Sequence, residues 1–311
     1  PGLDENNDFV SDFNQNQNTR PDYSEPFLRY MVDPPEFLFG MDMNNNTLID
    51  RFEDDRLPDY PYERDHQGYN AYGGLRLTEQ IQLTVGRLKE ELLSRDRRSE
   101  VNYGLASADW RLPGLDISVF EHFKFVKDNI PEDRIRWVDP LGLTDFPDPM
   151  ENQDTFVNNL YVKGRYHRIQ NLNVEAKFKY ELFNQRGEQA DLLRNRSFMG
   201  LINKADYTIY FNESISLYPK WKSTFRSEIP SQKSLQKTKS LEQTLFLITR
   251  YSIIPGATWL AFGVEFSNFS NLKKKLAESQ IGVVDDFRSL VMSVLFSNTS
   301  AYLGYKLTMN T

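Results

Sequence analysis

The side chains of this chain best suited to chemistry are oxygen-bearing groups that recur at alternate positions between residues 42 and 53. Calcium binds six to eight hard oxygen ligands, and short acidic or amide side chains at alternate positions can surround one point. A twelve-residue calcium loop placed on this stretch has side-chain oxygens at five positions and a backbone carbonyl at a sixth. The predicted ligands are Asp42, Asn44, Asn46, the carbonyl of Leu48, Asp50 and Glu53.

A second copy of this pattern lies near the start of the sequence. Residues 3–12 match residues 41–50, and a Pro-Asp-Tyr tripeptide follows each copy, at 21–23 and at 58–60. The twelfth position of the first copy is Gln15 instead of glutamate, so we expect its coordination to be completed differently, with Asp22 as a candidate ligand. The predicted ligands of this copy are Asp4, Asn6, Asp8, the carbonyl of Val10 and Asp12.

Both copies resemble the calcium loops of EF-hand proteins and related calcium repeats of extracellular proteins. The resemblance implies calcium with a structural role. Thr47 and Phe9 stand where the sharp turn of such a loop normally takes glycine, and the flanking residues lack helical periodicity, so a paired-helix EF-hand is not expected. The alternative is that these Asn- and Asp-rich turns use their side chains to bond their own backbone.

The elements around these loops are predicted to be β-strands. From residue 172 to 182 the even positions are apolar and the odd positions are polar or charged, which is the period of a strand with two different faces. The pattern recurs along residues 73–311, where tight reversals alternate with long polar loops. Eleven strands are predicted, at 75–92, 100–111, 115–127, 156–169, 171–184, 200–211, 213–227, 241–252, 257–270, 286–297 and 300–311.

The lengths of these strands and loops favour a membrane β-barrel. Most predicted strands have about a dozen residues, which exceeds the usual five or six of globular proteins and suits a tilted membrane-spanning strand. Tight reversals at 112–114, 169–171, 212, 254–256 and 297–299 all fall at one end, and long loops fall at the other. Charged residues on the polar faces, including Lys177 and Lys179, are expected to line an aqueous interior.

Composition excludes several classes of function. The net charge of −7 and the absence of a dense Lys/Arg stripe argue against a nucleic-acid partner. The chain has no cysteine, so it has no disulfide and no thiolate metal site. His66, His122 and His167 are widely separated, and no phosphate loop or nucleophile motif is present. An enzyme is therefore not expected.

Residues 73–311 resemble a Gram-negative outer-membrane β-barrel of the porin-like kind. The resemblance implies an all-β, up-and-down antiparallel transmembrane barrel, preceded by an irregular Asp/Asn-rich segment at residues 1–72. It implies a pore, conduit or membrane scaffold that functions in transport, in contact with outer-membrane lipid and other outer-membrane or surface proteins. Bacterial barrels are usually even-stranded, so the odd count favours part of a larger barrel or a miscounted strand. The alternative is a secreted or cell-surface calcium-binding β-rich module.

Overall fold

The computed structural model describes residues 22–37, 65–130, 134–139, 142–147, 154–186, 195–230, 237–273, 286–302 and 305–310. Within these residues the chain forms one large antiparallel sheet, a separate two-stranded hairpin, and a short N-terminal segment with two 3₁₀ turns, Asp22–Ser24 and Pro35–Phe37. No helix in the described part of the chain is long and apolar enough to cross a membrane.

The strands follow the chain in order. They are β1 (His66–Arg76), β2 (Ile81–Leu92), β3 (Arg98–Leu112), β4 (Leu115–Asp128), β5 (Arg134–Asp139), β6 (Gly142–Pro147), β7 (Thr155–Tyr166), β8 (Leu172–Gln185), β9 (Arg196–Tyr207), β10 (Ile209–Tyr210), β11 (Ile215–Ile229), β12 (Thr238–Ile254), β13 (Thr258–Asn271), β14 (Phe287–Tyr302) and β15 (Tyr305–Asn310).

The large sheet is an up-and-down meander. Its strand order is β1-β2-β3-β4-β7-β8-β9-β11-β12-β13-β14-β15, with β10 paired only to β11. Every pair in this path is antiparallel, and strands close in sequence are neighbours in the sheet. The predicted all-β, up-and-down antiparallel fold class is therefore confirmed.

Tight turns and long connections alternate as the sequence predicts. The β3–β4 turn has only Pro113 and Gly114 between the strands, and the φ of +80° at Gly114 is that of the third residue of a type II turn. A Cβ there would also lie 2.4 Å from the Cβ of Arg168. Long connections lie at the opposite end of the sheet, and the one between β4 and β7 contains the β5–β6 hairpin.

Two strand predictions are wrong. Residues 75–92 form two strands instead of one, because residues 77–80 reverse the chain and β1 pairs back on β2 from His66 to Arg76. β1 has three glycines and few large apolar residues, so its alternation is weak, and it spans the boundary predicted between residues 72 and 73. The last turn is also misplaced, since β14 continues through 297–299 to Tyr302.

These corrections give a path of twelve strands instead of eleven. In an antiparallel meander the first and twelfth strands run in opposite directions, so β1 and β15 have the relative direction that antiparallel pairing needs. The described strands include no hydrogen-bonded pair between β1 and β15, which are the two edges of the sheet. An even strand number is the usual one in bacterial single-chain barrels.

Candidate functional site

The two faces of the sheet differ in polarity, and the difference is the reverse of that in a soluble protein. We call the face in contact with residues 22–37 the inner face and the opposite one the outer face. On β12, Thr244 and Phe246 point inward and are buried, whereas Leu245 and Leu247 point outward and are 53% and 45% exposed. On β13, Glu265 points inward and is fully buried while Phe266 points outward and is 41% exposed.

The exposed apolar side chains continue across neighbouring strands of the outer face. The register places Leu245 beside Phe266 and Phe266 beside Leu290, so the apolar positions of three strands form one row. On β2 and β4, the outer-face residues Val85, Phe123 and Phe125 are exposed in the same way. The exposed side chains therefore form a continuous apolar surface instead of isolated patches.

This apolar surface is bounded at both ends of the strands. At the tight-turn end the outer face has exposed aromatic side chains, Trp110, Tyr207 and Tyr251. Towards the long connections it becomes polar, and the Nε of Arg288 donates a hydrogen bond of 3.1 Å to the Oδ1 of Asn268. Aromatic residues between an apolar band and water are typical of membrane-spanning barrels.

Glu121 is a polar exception on the outer face of β4. Its sequence neighbours on that face are apolar, and the Nδ2 of Asn158 on the adjacent strand β7 donates a hydrogen bond to its Oε1. Glu79, which is also close in sequence to apolar residues of β2, belongs to the β1–β2 turn and not to a strand. Both carboxylates are therefore compatible with an apolar outer face.

Residues 22–37, which we call the docked segment, lie across the inner face of β8, β9, β11, β12 and β13. Its three prolines, at positions 26, 34 and 35, remove backbone donors and suit short turns better than a strand, so the segment does not extend the sheet. Its only regular elements are two 3₁₀ turns, and the Arg29 N–H donates to the Glu25 carbonyl at 3.0 Å. Side chains from all five strands contact this irregular segment.

Asp33 is bound by three lysines from three adjacent strands. The Nζ of Lys177 lies 2.7 Å from Oδ2, and the Nζ atoms of Lys204 and Lys222 lie 2.8 and 2.9 Å from Oδ1. Burial alone raises the pKa of Asp33, but attraction from Lys222, Lys204 and Lys177 outweighs it and lowers this pKa well below its ordinary value. Asp33 is therefore a carboxylate at neutral pH.

The backbone of the docked segment is also bound by lysines. The Nζ of Lys222 donates to the carbonyl of Val32 at 2.8 Å and to that of Arg29. The Nζ of Lys179 donates to the carbonyl of Glu36 at 2.9 Å. The expectation that Lys177 and Lys179 face water is wrong, because the docked segment covers them and leaves Lys179 only 6% exposed.

Towards the N-terminal end of the docked segment, the segment supplies the cation and the sheet supplies the carboxylates. Arg29 lies between two carboxylates, with its Nε 3.1 Å from Glu265 and one terminal nitrogen 3.0 Å from Glu242. The same terminal nitrogen donates to the Oγ of Ser267 at 3.3 Å, and the Phe27 N–H donates to Glu265. Glu265 is fully buried, so its side chain is shielded from water and contacts the docked segment instead.

Aromatic rings of the docked segment fit over glycines of the inner face. Phe37 packs edge-on against Phe198 at 5.6 Å between ring centroids, and a Cβ on Gly200 would lie 2.5 Å from its ring. A Cβ on Gly263 would likewise lie 2.8 Å from the ring of Phe27. Both glycines are therefore needed for the close approach of the segment to the sheet.

The inner face of β2, β3, β4 and β7 is packed differently from that of β8 to β13. It carries a buried apolar cluster of six residues with no contribution from residues 22–37. Tyr103 lies across β2 directly over Gly86 and donates from its hydroxyl to Asn70 of β1 at 2.9 Å. The cluster consists of Leu88, Val101, Tyr103, Leu105, Val126 and Val157, with Phe120 and Phe183 packed against it.

The histidines do not form a common site. His66 lies 3.9 Å from Glu90 at the start of β1, and His167 lies 3.8 Å from Asp116 near the β7–β8 turn. His122 is on the inner face of β4 and is buried there. Among the described residues no three His, Cys, Asp or Glu side chains are grouped so that they could bind a metal ion.

The predicted calcium ligands Asp4, Asn6, Asp8, Val10, Asp12, Asp42, Asn44, Asn46, Leu48, Asp50 and Glu53 lie outside the described residues. Asp22, the additional candidate, is described and is fully buried in the first 3₁₀ turn. Calcium binding by the two loops stays a prediction.

The docked segment was not predicted from the sequence. One signal was available: Lys177, Lys204 and Lys222 all occupy polar-face positions of neighbouring predicted strands, so they bring several positive charges close together. A cluster of this kind requires an anion. Nothing in the sequence pattern shows that the anion is Asp33, more than 140 residues away from Lys177.

No protein-family model matches the chain, and no curated protein matches it in sequence. Among solved structures it is similar to OmpT, an outer membrane protein of Vibrio cholerae, with a TM-score of 0.33, 10% identity, and coverage of 72% of this chain and 62% of that one. It is also similar to the alcaligin outer membrane receptor FauA of Bordetella pertussis, with a TM-score of 0.37 and 13% identity over 76% of this chain and 40% of that one. The chain thus spans less than two thirds of either protein.

Proposed function

We propose that this chain is a Gram-negative outer-membrane β-barrel that acts as a conduit, with the docked segment restricting its interior. The observation that carries this proposal is the reversed polarity of the sheet. Fully buried Glu265 and the nearly buried Lys179, Lys204 and Lys222 lie on the inner face, while the outer face exposes a continuous row of Leu, Phe, Met and Val side chains. Lipid is the environment that such an outer face requires.

The free energy of hydration supports a lipid environment. Burying apolar surface contributes roughly 25 cal/mol per Å², and soluble monomers rarely expose an apolar patch of more than a few hundred Å². In water the outer face would lose this contribution along most of its strands. In a bilayer the same side chains contact acyl chains, and the aromatic residues at the tight-turn end lie at the level of the head groups.

A lipid environment also requires that no strand edge remain unpaired. Backbone N–H and C=O groups cannot be left without partners in the hydrocarbon layer, so membrane-spanning sheets close into barrels. The opposite directions of β1 and β15 allow direct antiparallel pairing, which would close the twelve-strand path. Pairing of β1 and β15 with additional strands would instead produce a larger barrel.

The docked segment determines what the interior transmits. It covers the charged inner face of β8 to β13 and binds it through ion pairs and hydrogen bonds, beside the ring contacts of Phe27, Tyr30 and Phe37. We infer that the conduit is restricted while the segment is docked and widens when it leaves. We propose no enzymatic role for the chain. If the docked segment never leaves the inner face, the chain acts as a membrane scaffold and not as a conduit.

The two candidate calcium loops flank the docked segment in sequence, at residues 4–15 and 42–53. We propose that calcium at these loops fixes both flanks and so favours docking. Replacing Glu53 by glutamine should weaken calcium binding more than replacing Asn44 by serine, because Glu53 supplies a charged and potentially bidentate ligand. Isothermal titration with calcium measures this, and the absence of any calcium-dependent heat would leave only the backbone-capping alternative.

Conductance across a planar lipid bilayer tests the main proposal. The full chain should partition with outer membranes and form low-conductance channels, and the double variant Arg29→Ala, Asp33→Ala should give larger or longer openings. Glu100→Ala is the matched control, because it removes a carboxylate from an ion pair with Arg87 that does not touch the docked segment. A chain that stays soluble without detergent and forms no channels would contradict the proposal and favour a secreted or cell-surface binding module.

A further inference from the structure

We propose that Lys177, Lys204 and Lys222, the lysine triad, form an oxyanion-binding site for a carboxylate- or phosphate-bearing solute, which Asp33 occupies while the docked segment is in place. This inference rests on the proposed function, because the site becomes accessible only when the segment leaves. It adds a ligand class to that function. The sequence alone shows only mixed charges on the polar faces of these strands.

The sheet itself brings the three lysines together. Lys204 of β9 is directly opposite Lys222 of β11 in the ladder. On the other side, Lys204 is opposite Glu175 of β8, so Lys177 is its diagonal neighbour on the same face. Like charges directly opposite each other destabilise a sheet unless an anion lies between them. The strand register alone therefore places positive charges close together, so binding of an anion is favourable here.

Asp33 shows which kind of group binds to the three lysines. One carboxylate oxygen contacts Lys177 and the other contacts both Lys204 and Lys222, all within 2.9 Å. The carboxylate is thus a three-point ligand with an oxygen shared between two strands. A carboxylate, or two oxygens of a phosphate group, presents the same pair of acceptors at nearly the same separation. Neutral solutes lack the charge that these lysines require.

The charge balance remains positive when Asp33 leaves. Of the triad, Lys177 has a second carboxylate nearby, since its Nζ lies 3.2 Å from Glu175, which also contacts Lys163 at 3.4 Å. Three lysine side chains and one shared carboxylate would then remain at the vacated site. Lys222 would also lose the carbonyls of Arg29 and Val32 as acceptors. Unpaired charges in a partly buried interior are costly, so binding of a solute anion is favoured.

Chemical rescue tests the site in the full chain in detergent. Asp33→Ala should bind inorganic phosphate and acetate about tenfold or more tightly than the unaltered chain, because its triad is vacant. Isothermal titration measures the binding, with sodium chloride used to match ionic strength. Adding Lys204→Met should abolish the gain. Glu100→Ala should behave like the unaltered chain, since its carboxylate does not contact the triad.

The rescue experiment can overturn the inference without affecting the conduit. If Asp33→Ala is folded and binds phosphate and acetate no more tightly than the unaltered chain, the site does not exist. Asp33→Ser, which also removes the carboxylate and leaves room between the lysines, should show the same gain and replaces the alanine variant if that variant fails to fold. Failure at this step leaves membrane partitioning and channel formation intact, so it is distinguishable from failure of the proposed function. Binding of phosphate but not acetate would identify phosphate as the ligand class.

Discussion

The inner face of one sheet is filled in two different ways. From β2 to β7 it is filled by the sheet's own apolar side chains, such as Leu88, Val101 and Val157. From β8 to β13 it is charged and is filled by the docked segment, residues 22–37. In the described part of the chain, the apolar cluster of the first half is packed by strands of the sheet alone. In the second half, a separate part of the chain compensates several of the charges, among them that of buried Glu265.

The difference teaches which half can change state. Releasing apolar side chains from a cluster costs the free energy of their burial, with no compensating hydration. Releasing Asp33 or Arg29 costs ion pairs, but the separated groups gain water or a solute ion. The charged half is therefore the one that can open at moderate cost, and the apolar half is expected to remain constant during opening.

The largest effect is expected from a cavity in the self-filled half. Leu88→Ala should lower the free energy of unfolding by about 2–5 kcal/mol, because Leu88 is buried in the apolar cluster. Hydrogen exchange of residues 22–37 should be unchanged at the same time. Urea titration in lipid vesicles and exchange measured by mass spectrometry check both outcomes. Faster exchange of residues 22–37 in this variant would show that the two halves are not independent.

A smaller effect is expected from a side chain placed under the docked segment, and it should fall on docking and not on the apolar cluster. Gly200→Val should weaken docking by roughly 1–3 kcal/mol, since its Cβ would overlap the ring of Phe37. Exchange of residues 22–37 should accelerate, and the apolar half should keep its protection. Gly164→Val is the matched control, because a Cβ at Gly164 on β7 meets nothing within 4 Å. Equal effects of the two substitutions would argue against close packing of the segment.

The smallest effect is expected from acid. The lysine triad lowers the pKa of Asp33, so this carboxylate contributes stability that is fully present above its ordinary pKa of about 4 and is lost as pH falls below it. Docking should thus be constant near neutral pH and weaken only in strong acid. A fluorophore on Met31→Cys, an exposed position, would report it. Asp33→Asn should remove this loss of docking in acid. If docking is still lost in acid in that variant, other groups are responsible for the loss.

The sequence predicted the strands well because alternation is a local property. The apolar and charged faces of β8 can be read from residues 172 to 182, and the turn at Pro113 and Gly114 from its two residues. β1 was missed because its glycines and polar residues provide no apolar face, and its place in the sheet depends on pairing with β2. The missed strand also explains the odd count.

The docked segment could not be predicted from local patterns. Prolines and short turns mark residues 22–37 as irregular, but the contacts of Asp33 with Lys177, Lys204 and Lys222 join parts of the chain far apart in sequence. Lys177 was predicted to be on a polar face, which is correct, and to face water, which is wrong. Periodicity reports the face on which a side chain lies and not what covers that face.

The central claim is that the outer face contacts lipid, and nitroxide scanning tests it most directly. The chain has no cysteine, so single cysteines at Leu245, Leu247, Phe262 and Phe266 can carry the label without further changes. In vesicles these outer-face labels should collide readily with oxygen and poorly with a water-soluble nickel chelate, while a label at exposed Lys237 should show the reverse. High nickel accessibility at all five positions would contradict a membrane-embedded outer face.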